Sequence, residues 1–212
     1  MSRAVVATAF GGPEVLAIID VDDGPPGPGQ IAVDVRAAGV NPSDFKFYNG
    51  TFGRSAPLPL RVGSEASGIV TAVGEGAVGP CGQVAVGDEV ILYRINGGYA
   101  DRVVVDATTA VPKPPSMGFE EAAGLMLTGA TAVHTLTATS VGPGDTILVH
   151  GATGGVGQMV VQIAVARGAR VIGTASAARH DVVRALGAEP VTYGDGLADR
   201  VRALAPDGVD AA

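Results

Sequence analysis

The residues with the clearest chemical signature form a glycine-rich loop between an apolar strand and an amphipathic helix. The apolar run Thr146 to Val149 precedes the loop, and a helical pattern begins with Met159. Small residues let the chain turn sharply, let the backbone approach a pyrophosphate and let the helix pack closely on the sheet. The first N–H groups of the helix and its dipole then attract the anion. The predicted contact residues are Ala152, Thr153, Gly154, Gly155, Val156 and Gly157.

An ordinary strand-to-helix turn is the alternative interpretation of this loop. It is disfavoured because a second strand follows at the distance expected of a dinucleotide-binding unit. Ala152 stands where the usual fingerprint has its first glycine, which adds a single methyl group to the turn.

The residues after the second predicted strand bear on the choice of nicotinamide cofactor. NAD-specific sites place an Asp or Glu about 20 residues beyond the loop, where it accepts from the ribose 2′-hydroxyl. Here the strand is followed by Ser176 and Arg179, without a carboxylate that would repel a 2′-phosphate. A hydroxyl and a cation favour NADPH. The plainer alternative is that Ser176 caps the next helix and Arg179 is solvated, and both interpretations can hold together.

Two kinds of periodicity divide the chain into two regions. Strand-like segments punctuated by Gly and Pro occupy the first region, including Ile31–Arg36, Ala66–Val73, Glu89–Tyr93 and the weaker Arg102–Val105. Strands and helices alternate beyond a proline-rich crossing that ends at Pro115. We therefore predict an α/β protein with a barrel-like β domain at residues 1–115 and a doubly wound domain at residues 116–212.

Local signals place the helix and strand ends of the second region. Ser116 is a predicted N-cap, and Gly168 and Gly187 are predicted to end two helices. Val191–Tyr193 is a predicted third strand, and Val209 is predicted to open a fourth.

Composition excludes several classes of protein. A formal charge of −7 disfavours non-specific nucleic-acid binding, which needs a surplus of Lys and Arg. The single Cys81 cannot form an intrachain disulfide. Neither a signal-peptide pattern nor a membrane-length apolar run is present. We therefore expect a cytoplasmic protein that does not insert into membranes.

Several further segments resemble, in order, those of zinc-free quinone oxidoreductases of the medium-chain dehydrogenase/reductase superfamily. Residues 37–44 are similar to the family segment A-A-G-V-N-P-x-D, and residues 63–70 to G-x-E-x-x-G-x-V. Residues 87–90, 98–101 and 128–132 follow in the same order, so the resemblance covers essentially the whole chain. It implies a GroES-like β-barrel domain followed by a Rossmann domain, incomplete at the C-terminus.

The resemblance implies hydride transfer from NADPH to a quinone or an activated enone. It implies catalytic roles for Asn41, Asp44 and Thr128. It also implies that Thr128 and the cofactor contact Thr131 flank the nicotinamide, and that Tyr193 stacks near the adenine or its phosphate. Plainer roles exist for each: Asn41 in a turn, Asp44 as a helix cap, Thr131 inside a helix and Tyr193 in a strand. Relatives often dimerise, so the resemblance allows a homodimer.

The same comparison predicts that no metal is bound. Zinc-dependent relatives carry Cys at the position of Asn41 and a His-Glu pair at Ser64 and Glu65, together with a four-Cys lobe that Cys81 alone cannot supply. The three histidines lie away from these segments, at positions 134, 150 and 180.

The end of the chain, Val209 to Ala212, matches the opening of a fourth strand of the nucleotide domain, whereas relatives continue well beyond it. Because the dinucleotide lies between strands 1 and 4, we expect Thr146–Val149 to be an exposed apolar edge and this chain alone to be inactive. Two other functions remain open. One is an enoyl-reductase module of a large synthase, disfavoured by the start at Met1; the other is a non-catalytic NADPH-binding or structural protein.

Overall fold

The computed structural model describes residues 1–212, which divide into two compact units, Met1–Leu127 and Thr128–Ala212. The division lies beyond the expected boundary at residues 115 and 116, because the short helix Phe119–Ala123 packs on strands of the first unit. There the Ser67 hydroxyl donates to the Phe119 carbonyl oxygen at 2.6 Å. The limits of the domains themselves stay a prediction.

The first unit is predominantly antiparallel β structure. Its strands are β1 (Ser2–Ala7), β2 (Leu16–Val21), β3 (Gln30–Ala38), β4 (Leu60–Arg61), β5 (Glu65–Val73), β6 (Val78–Gly79), β7 (Gly82–Gln83), β8 (Glu89–Tyr93), β9 (Arg102–Asp106) and β10 (Ala110–Pro112). Its helices are α1 (Pro42–Tyr48) and α2 (Phe119–Ala123), with single 3-10 turns at Pro13–Val15 and Ala107–Thr109.

A five-stranded sheet in the order β10-β8-β5-β3-β9 supports the core of the first unit. Alternate residues of β3, such as Ile31 and Val33, pack against Val70 and Leu92 of the neighbouring strands. A smaller sheet, β2-β1-β4, completes the unit together with the β6-β7 hairpin. The four strands predicted here are all present, each within two residues of its predicted limits, and the predicted α/β fold class is confirmed.

The second unit is a parallel sheet with helices on both faces. It contains α3 (Leu125–Ala138, which begins at the end of the first unit), β11 (Thr146–Val149), α4 (Gly155–Ala166), β12 (Arg170–Ala175), a 3-10 turn (Ala177–Arg179), α5 (His180–Ala185), β13 (Glu189–Thr192) and α6 (Leu197–Leu204). Successive residues of β12 serve the two faces: Val171 packs in a cluster with α4, and Ile172 packs with Val201 of α6. Burial on both faces explains why these strands read as continuous apolar runs.

Three helices of the second unit, α3, α4 and α5, end in left-handed residues. Gly168 and Gly187 have φ of +84° and +89°, and each donates the backbone hydrogen bonds of a Schellman motif together with the residue that follows it. Both predicted helix ends are confirmed. Ser140 occupies the same position after α3 with φ of +55°, although it is not glycine. The predicted N-cap at Ser116 is wrong: Gly118 caps α2, and its N–H donates to the Glu121 carboxylate at 3.3 Å.

The residues near the end of the chain pair with β11. Asp210 N–H donates to the Thr146 carbonyl oxygen at 2.8 Å, and Leu148 N–H donates to the Ala211 carbonyl oxygen at 2.9 Å. Ala211 thereby forms a parallel bridge to Ile147, which is 3% exposed. The expectation of an exposed apolar edge is therefore wrong for this part of β11, and the bridge lies on the side predicted for strand 4.

Candidate functional site

The turn after β11 is fixed by hydrogen bonds to the neighbouring strand. Gly151, with φ of +64°, donates its N–H to the Thr174 hydroxyl oxygen at 2.9 Å. Ala152 N–H donates to the Thr174 carbonyl oxygen at 3.0 Å, and Gly154 N–H donates to the Gly151 carbonyl oxygen at 2.9 Å. Because Thr174 is almost fully buried, its side chain acts as an internal anchor for the loop. The loop is held before any ligand arrives.

Gly157 lets α4 lie directly against this turn. A Cβ at Gly157 would stand 2.9 Å from Ala152 Cα and nearer still to the Gly151 carbonyl oxygen, so only glycine fits. The first turn of a twelve-residue helix therefore begins in contact with the loop, and its leading N–H groups have no partners within the helix. Gly154 and Gly155 are exposed on this side. The cradle suits a phosphate group.

The alanine at position 152 is accommodated by a second glycine. Ala152 is fully buried, and a Cβ at Gly173 of β12 would stand 2.7 Å from its methyl carbon and 2.9 Å from a methyl carbon of Val183. Gly173 therefore leaves the space that the Ala152 methyl group occupies. The departure from the usual fingerprint costs the turn little for this reason.

The carboxyl ends of β12 and β13 bring three further cofactor candidates, Ser176, Arg179 and Tyr193, to one edge of the sheet. Ser176 is the half-buried N-cap of the 3-10 turn, but its hydroxyl forms no capping hydrogen bond. Arg179 is exposed, with neither an ion pair nor a side-chain hydrogen bond. Tyr193 lies one residue beyond β13 and is 58% exposed, so its predicted place inside a strand is wrong. The Tyr193 side chain is thus accessible to a ligand at this edge.

The turn that carries Tyr193 is held by an arginine. Arg200 of α6 donates from Nε and Nη2 to the Thr192 carbonyl oxygen at 3.0 and 2.8 Å, and from Nη1 to the Asp195 carbonyl oxygen at 2.8 Å. These bonds satisfy the carbonyl groups that β13 leaves at its end.

Of the two threonines predicted beside the nicotinamide, Thr128 lies next to the loop residue Gly155. Its methyl carbon lies 3.1 Å from the position of a Cβ built on Gly155. Thr131 lies one turn further along α3, and its carbonyl oxygen accepts from the Thr135 hydroxyl at 2.9 Å. The structure thus brings Thr128 to the start of α4 and places Thr131 inside a helix.

In the first unit, Asp44 organises a buried polar cluster around the start of α1. One carboxylate oxygen accepts from Asn41 N–H at 2.9 Å and from the Tyr99 hydroxyl at 2.8 Å, and the other accepts from the Ser64 hydroxyl at 2.8 Å. The bond to Asn41 is the reciprocal half of a capping box, so the plainer role foreseen for Asp44 is present. Burial first, and then the hydrogen bond to Asp44, raise the pKa of the Tyr99 hydroxyl well above its usual range.

Glu65 orients the side chain of Asn41. Its carboxyl oxygens accept from Asn41 Nδ2 at 2.8 Å and from Leu127 N–H at 2.9 Å, and the residue is 1% exposed. Gly39 makes this possible, since a Cβ there would stand 2.5 Å from the Ala123 carbonyl oxygen and would also overlap Glu65. Asn41 and Asp44 are therefore brought together in one cluster, with Asn41 fixed from both ends.

Comparison with known proteins identifies both units. Residues 27–115 match the family "Alcohol dehydrogenase GroES-like domain", and residues 155–212 match "Zinc-binding dehydrogenase". The solved quinone oxidoreductase of Pseudomonas syringae pv. Tomato DC3000 is 36% identical with a TM-score of 0.86, over 97% of this chain and 63% of that chain. The chain belongs to the quinone oxidoreductase family of the medium-chain dehydrogenase/reductase superfamily.

Two further relatives extend the comparison. The mouse (Mus musculus) "Synaptic vesicle membrane protein VAT-1 homolog" is 36% identical over 98% of this chain and 52% of its own length. A mycobacterial protein solved in complex with NADPH is 36% identical with a TM-score of 0.86, over 98% of this chain and 65% of that chain. The chain thus spans about half the length of the curated relatives it matches. None of its helices combines the length and apolarity needed to cross a membrane.

Four residues that hold the candidate site residues in place were not predicted as such from the sequence: Glu65, Tyr99, Thr174 and Arg200. One signal was available for Glu65, because a carboxyl group at the start of a buried strand needs hydrogen-bond donors. No such signal existed for Thr174 or Arg200, whose partners are backbone atoms that only the folded chain brings near.

Proposed function

We propose that the protein reduces quinones or activated enones with NADPH and without zinc. The observation that carries the proposal is the Gly157 contact, which sets the start of α4 against the turn after β11 as a phosphate cradle. Membership of the quinone oxidoreductase family supports the reaction class. When bound, the nicotinamide would supply the hydride, and the chain would supply binding and orientation.

The choice of NADPH rests on the carboxyl end of β12. A 2′-phosphate there would meet the uncommitted Ser176 hydroxyl and the Arg179 guanidinium, and the strand carries no carboxylate at that end. Arg179 is exposed and no side chain holds it, so its guanidinium can turn toward a ligand. The NADPH complex of a 36% identical mycobacterial relative agrees with this choice. Tyr193, fixed through Arg200, would cover the adenine or its phosphate.

Zinc does not fit the residues that stand in the relatives' ligand positions. Asn41 and Ser64 offer an amide and a hydroxyl in place of a thiolate and an imidazole, and both donate to carboxyl groups already. No group of three or more His, Cys, Asp or Glu residues is arranged to hold a metal ion. We therefore assign the orientation of substrate to hydrogen bonds.

In the first unit, we propose that Asn41 binds the carbonyl oxygen of the substrate and that Asp44 positions its neighbours. Asp44 already accepts three hydrogen bonds, which suits an anchor better than a proton carrier. Thr128 and Thr131 would contact the nicotinamide in the second unit. A homodimer stays a prediction, which light scattering on the purified protein would check.

The test is steady-state oxidation of NADPH by the natural full-length protein with a panel of neutral quinones and a panel of enones. Turnover of either panel supports reductase activity; tight NADPH binding without turnover of any acceptor would favour the non-catalytic alternative. Turnover of enones alone would favour an enoyl reductase.

The cofactor assignment has its own variant, Arg179→Glu. We expect the KM for NADPH to rise about tenfold or more while that for NADH changes little, since a charge-assisted hydrogen bond is worth about 1.5–3 kcal/mol. Arg167→Glu makes the same charge change at a half-buried arginine of the unit that forms no ion pair, and it should not discriminate between the cofactors. Equal effects of Arg179→Glu on both cofactors would remove the phosphate assignment.

A further inference from the structure

A cavity of about 230 Å³ lies beside the Asp44 cluster, entirely within the first unit. Its apolar wall is formed by Phe47 and Phe52, whose side chains are 40% and 63% exposed. Aromatic faces left open to solvent in this way stack on flat rings. Because drug-sized ligands occupy sites of about 300–1,000 Å³, this cavity suits one or two fused rings.

The charged side chains that line the cavity differ in whether they already have partners. Asp44 is 6% exposed, and its carboxylate already accepts from three donors. Arg61 forms an ion pair with Asp23 at 2.9 Å. Arg94 is exposed and has no ion pair and no side-chain hydrogen bond. The cavity therefore has one uncommitted cation on a chain of net charge −7.

The backbone at this cation is strained. Arg94 has φ of +60°, one of two non-glycine residues in the left-handed region. Such a conformation costs free energy that a glycine would avoid, and strain of this kind concentrates at ligand-binding sites. Asn96, also exposed, adds a carboxamide to the same wall of the cavity.

We propose that this cavity selects planar substrates that carry an acidic substituent, with the ring against Phe47 and Phe52 and the anion at Arg94. The inference rests on the proposed function, because it makes Arg94 the residue that determines which quinones the reductase prefers. Because Arg94 is exposed, we expect this preference to be moderate and to weaken as salt is added.

The experiment compares two probes of the same shape, naphthalene-2-sulfonate and naphthalene-2-sulfonamide, by calorimetric titration of the natural full-length protein without cofactor. We expect the wild type to bind the sulfonate about three- to fivefold more tightly at low salt, the range of an exposed ion pair. Arg94→Gln should bring the ratio close to one. Arg36→Gln, at an exposed and unpaired arginine of the same unit, should leave the ratio unchanged.

A wild-type ratio near one, a ratio that survives Arg94→Gln, or no measurable binding of either probe would overturn the inference. Its failure is distinct from that of the proposed function. Reduction of neutral quinones without any preference for the sulfonate would retain the reductase and remove the anion site. Selective sulfonate binding without turnover of any quinone would do the reverse.

Discussion

Substitution of Gly157 by alanine tests the contact on which the phosphate cradle depends. The new Cβ would stand 2.9 Å from both Ala152 Cα and the Gly151 carbonyl carbon, and closer still to the Gly151 carbonyl oxygen. These are backbone atoms of a turn tied to Thr174, so they cannot swing aside as a flexible side chain would. Either α4 or the turn must move by several tenths of an ångström.

The expected magnitude follows from two opposing effects. Overpacking of this kind costs about 1–3 kcal/mol, whereas alanine in place of glycine in a helix contributes about 0.8–1 kcal/mol of stability. Because the closest clashes are with backbone, the cost lies in the upper part of its range, and we expect Gly157→Ala to lower the free energy of unfolding by about 1–2 kcal/mol. We also expect the affinity for NADPH to fall about tenfold as the N–H groups of α4 move away from the phosphate.

Gly129→Ala is the matched control, because Gly129 lies inside α3 of the same unit with no atom within 4 Å of a built Cβ. It should raise the free energy of unfolding by up to about 1 kcal/mol. Urea denaturation followed by circular dichroism would give both changes, and calorimetric titration would give the NADPH affinity of Gly157→Ala. The reasoning is refuted if the two substitutions shift stability in the same direction, or if Gly157→Ala binds NADPH as the wild type does.

Three smaller predictions concern stability. Ser140→Gly should raise the free energy of unfolding by about 0.5–1 kcal/mol in thermal melts, because it relieves the left-handed φ at the end of α3; a lower melting temperature would contradict this. Tyr99 keeps its neutral form longer in the folded state than in the unfolded state, so its contribution is fully present below about pH 10 and is lost as the pH rises above that value. Wild type should therefore lose its stability advantage over Tyr99→Phe in alkali, and an advantage that grows with pH would refute the pKa direction. The hydrogen bond from Arg170 lowers the pKa of Glu189, so the benefit of this pair exists above about pH 4 and disappears as the pH falls. Because the pair is exposed, Glu189→Gln should cost less than about 1 kcal/mol at pH 7 and nothing in strong acid, as acid titration of both proteins would show.

Local features of the chain were predictable because local chemistry decides them. The glycines that end α4 and α5, the limits of β8 and the loop before α4 all follow from residue type and period. The N-cap of α2 could not be predicted in the same way, because Lys113 donates to the Met117 carbonyl oxygen at 2.6 Å and holds the preceding residues in a turn. Lys113 also forms an ion pair with Glu89, and only the folded chain shows that these two residues are partners.

The candidate site was predictable to a different extent in each unit. Asn41, Asp44 and the loop residues came from motifs, and the structure brings Asn41 to Asp44 and Thr128 to Gly155. Their roles in binding and catalysis stay predictions. The residues that orient them could not be found by spacing: Tyr99 lies 55 positions from Asp44 in the chain, and no pattern in one segment reports on the other.

The pairing of Ala152 with Gly173 constrains the order in which substitutions at the two positions can accumulate. Alanine at both positions is excluded, since the two methyl carbons would stand 2.7 Å apart, and alanine at position 173 would in addition require the buried Val183 side chain to move, because the new Cβ would stand 2.9 Å from its methyl carbon. An exchange of the two residues must therefore pass through the double-glycine form, which leaves a small void but no collision. The space between the loop and β12 holds one methyl group, at position 152 or at position 173, but not two.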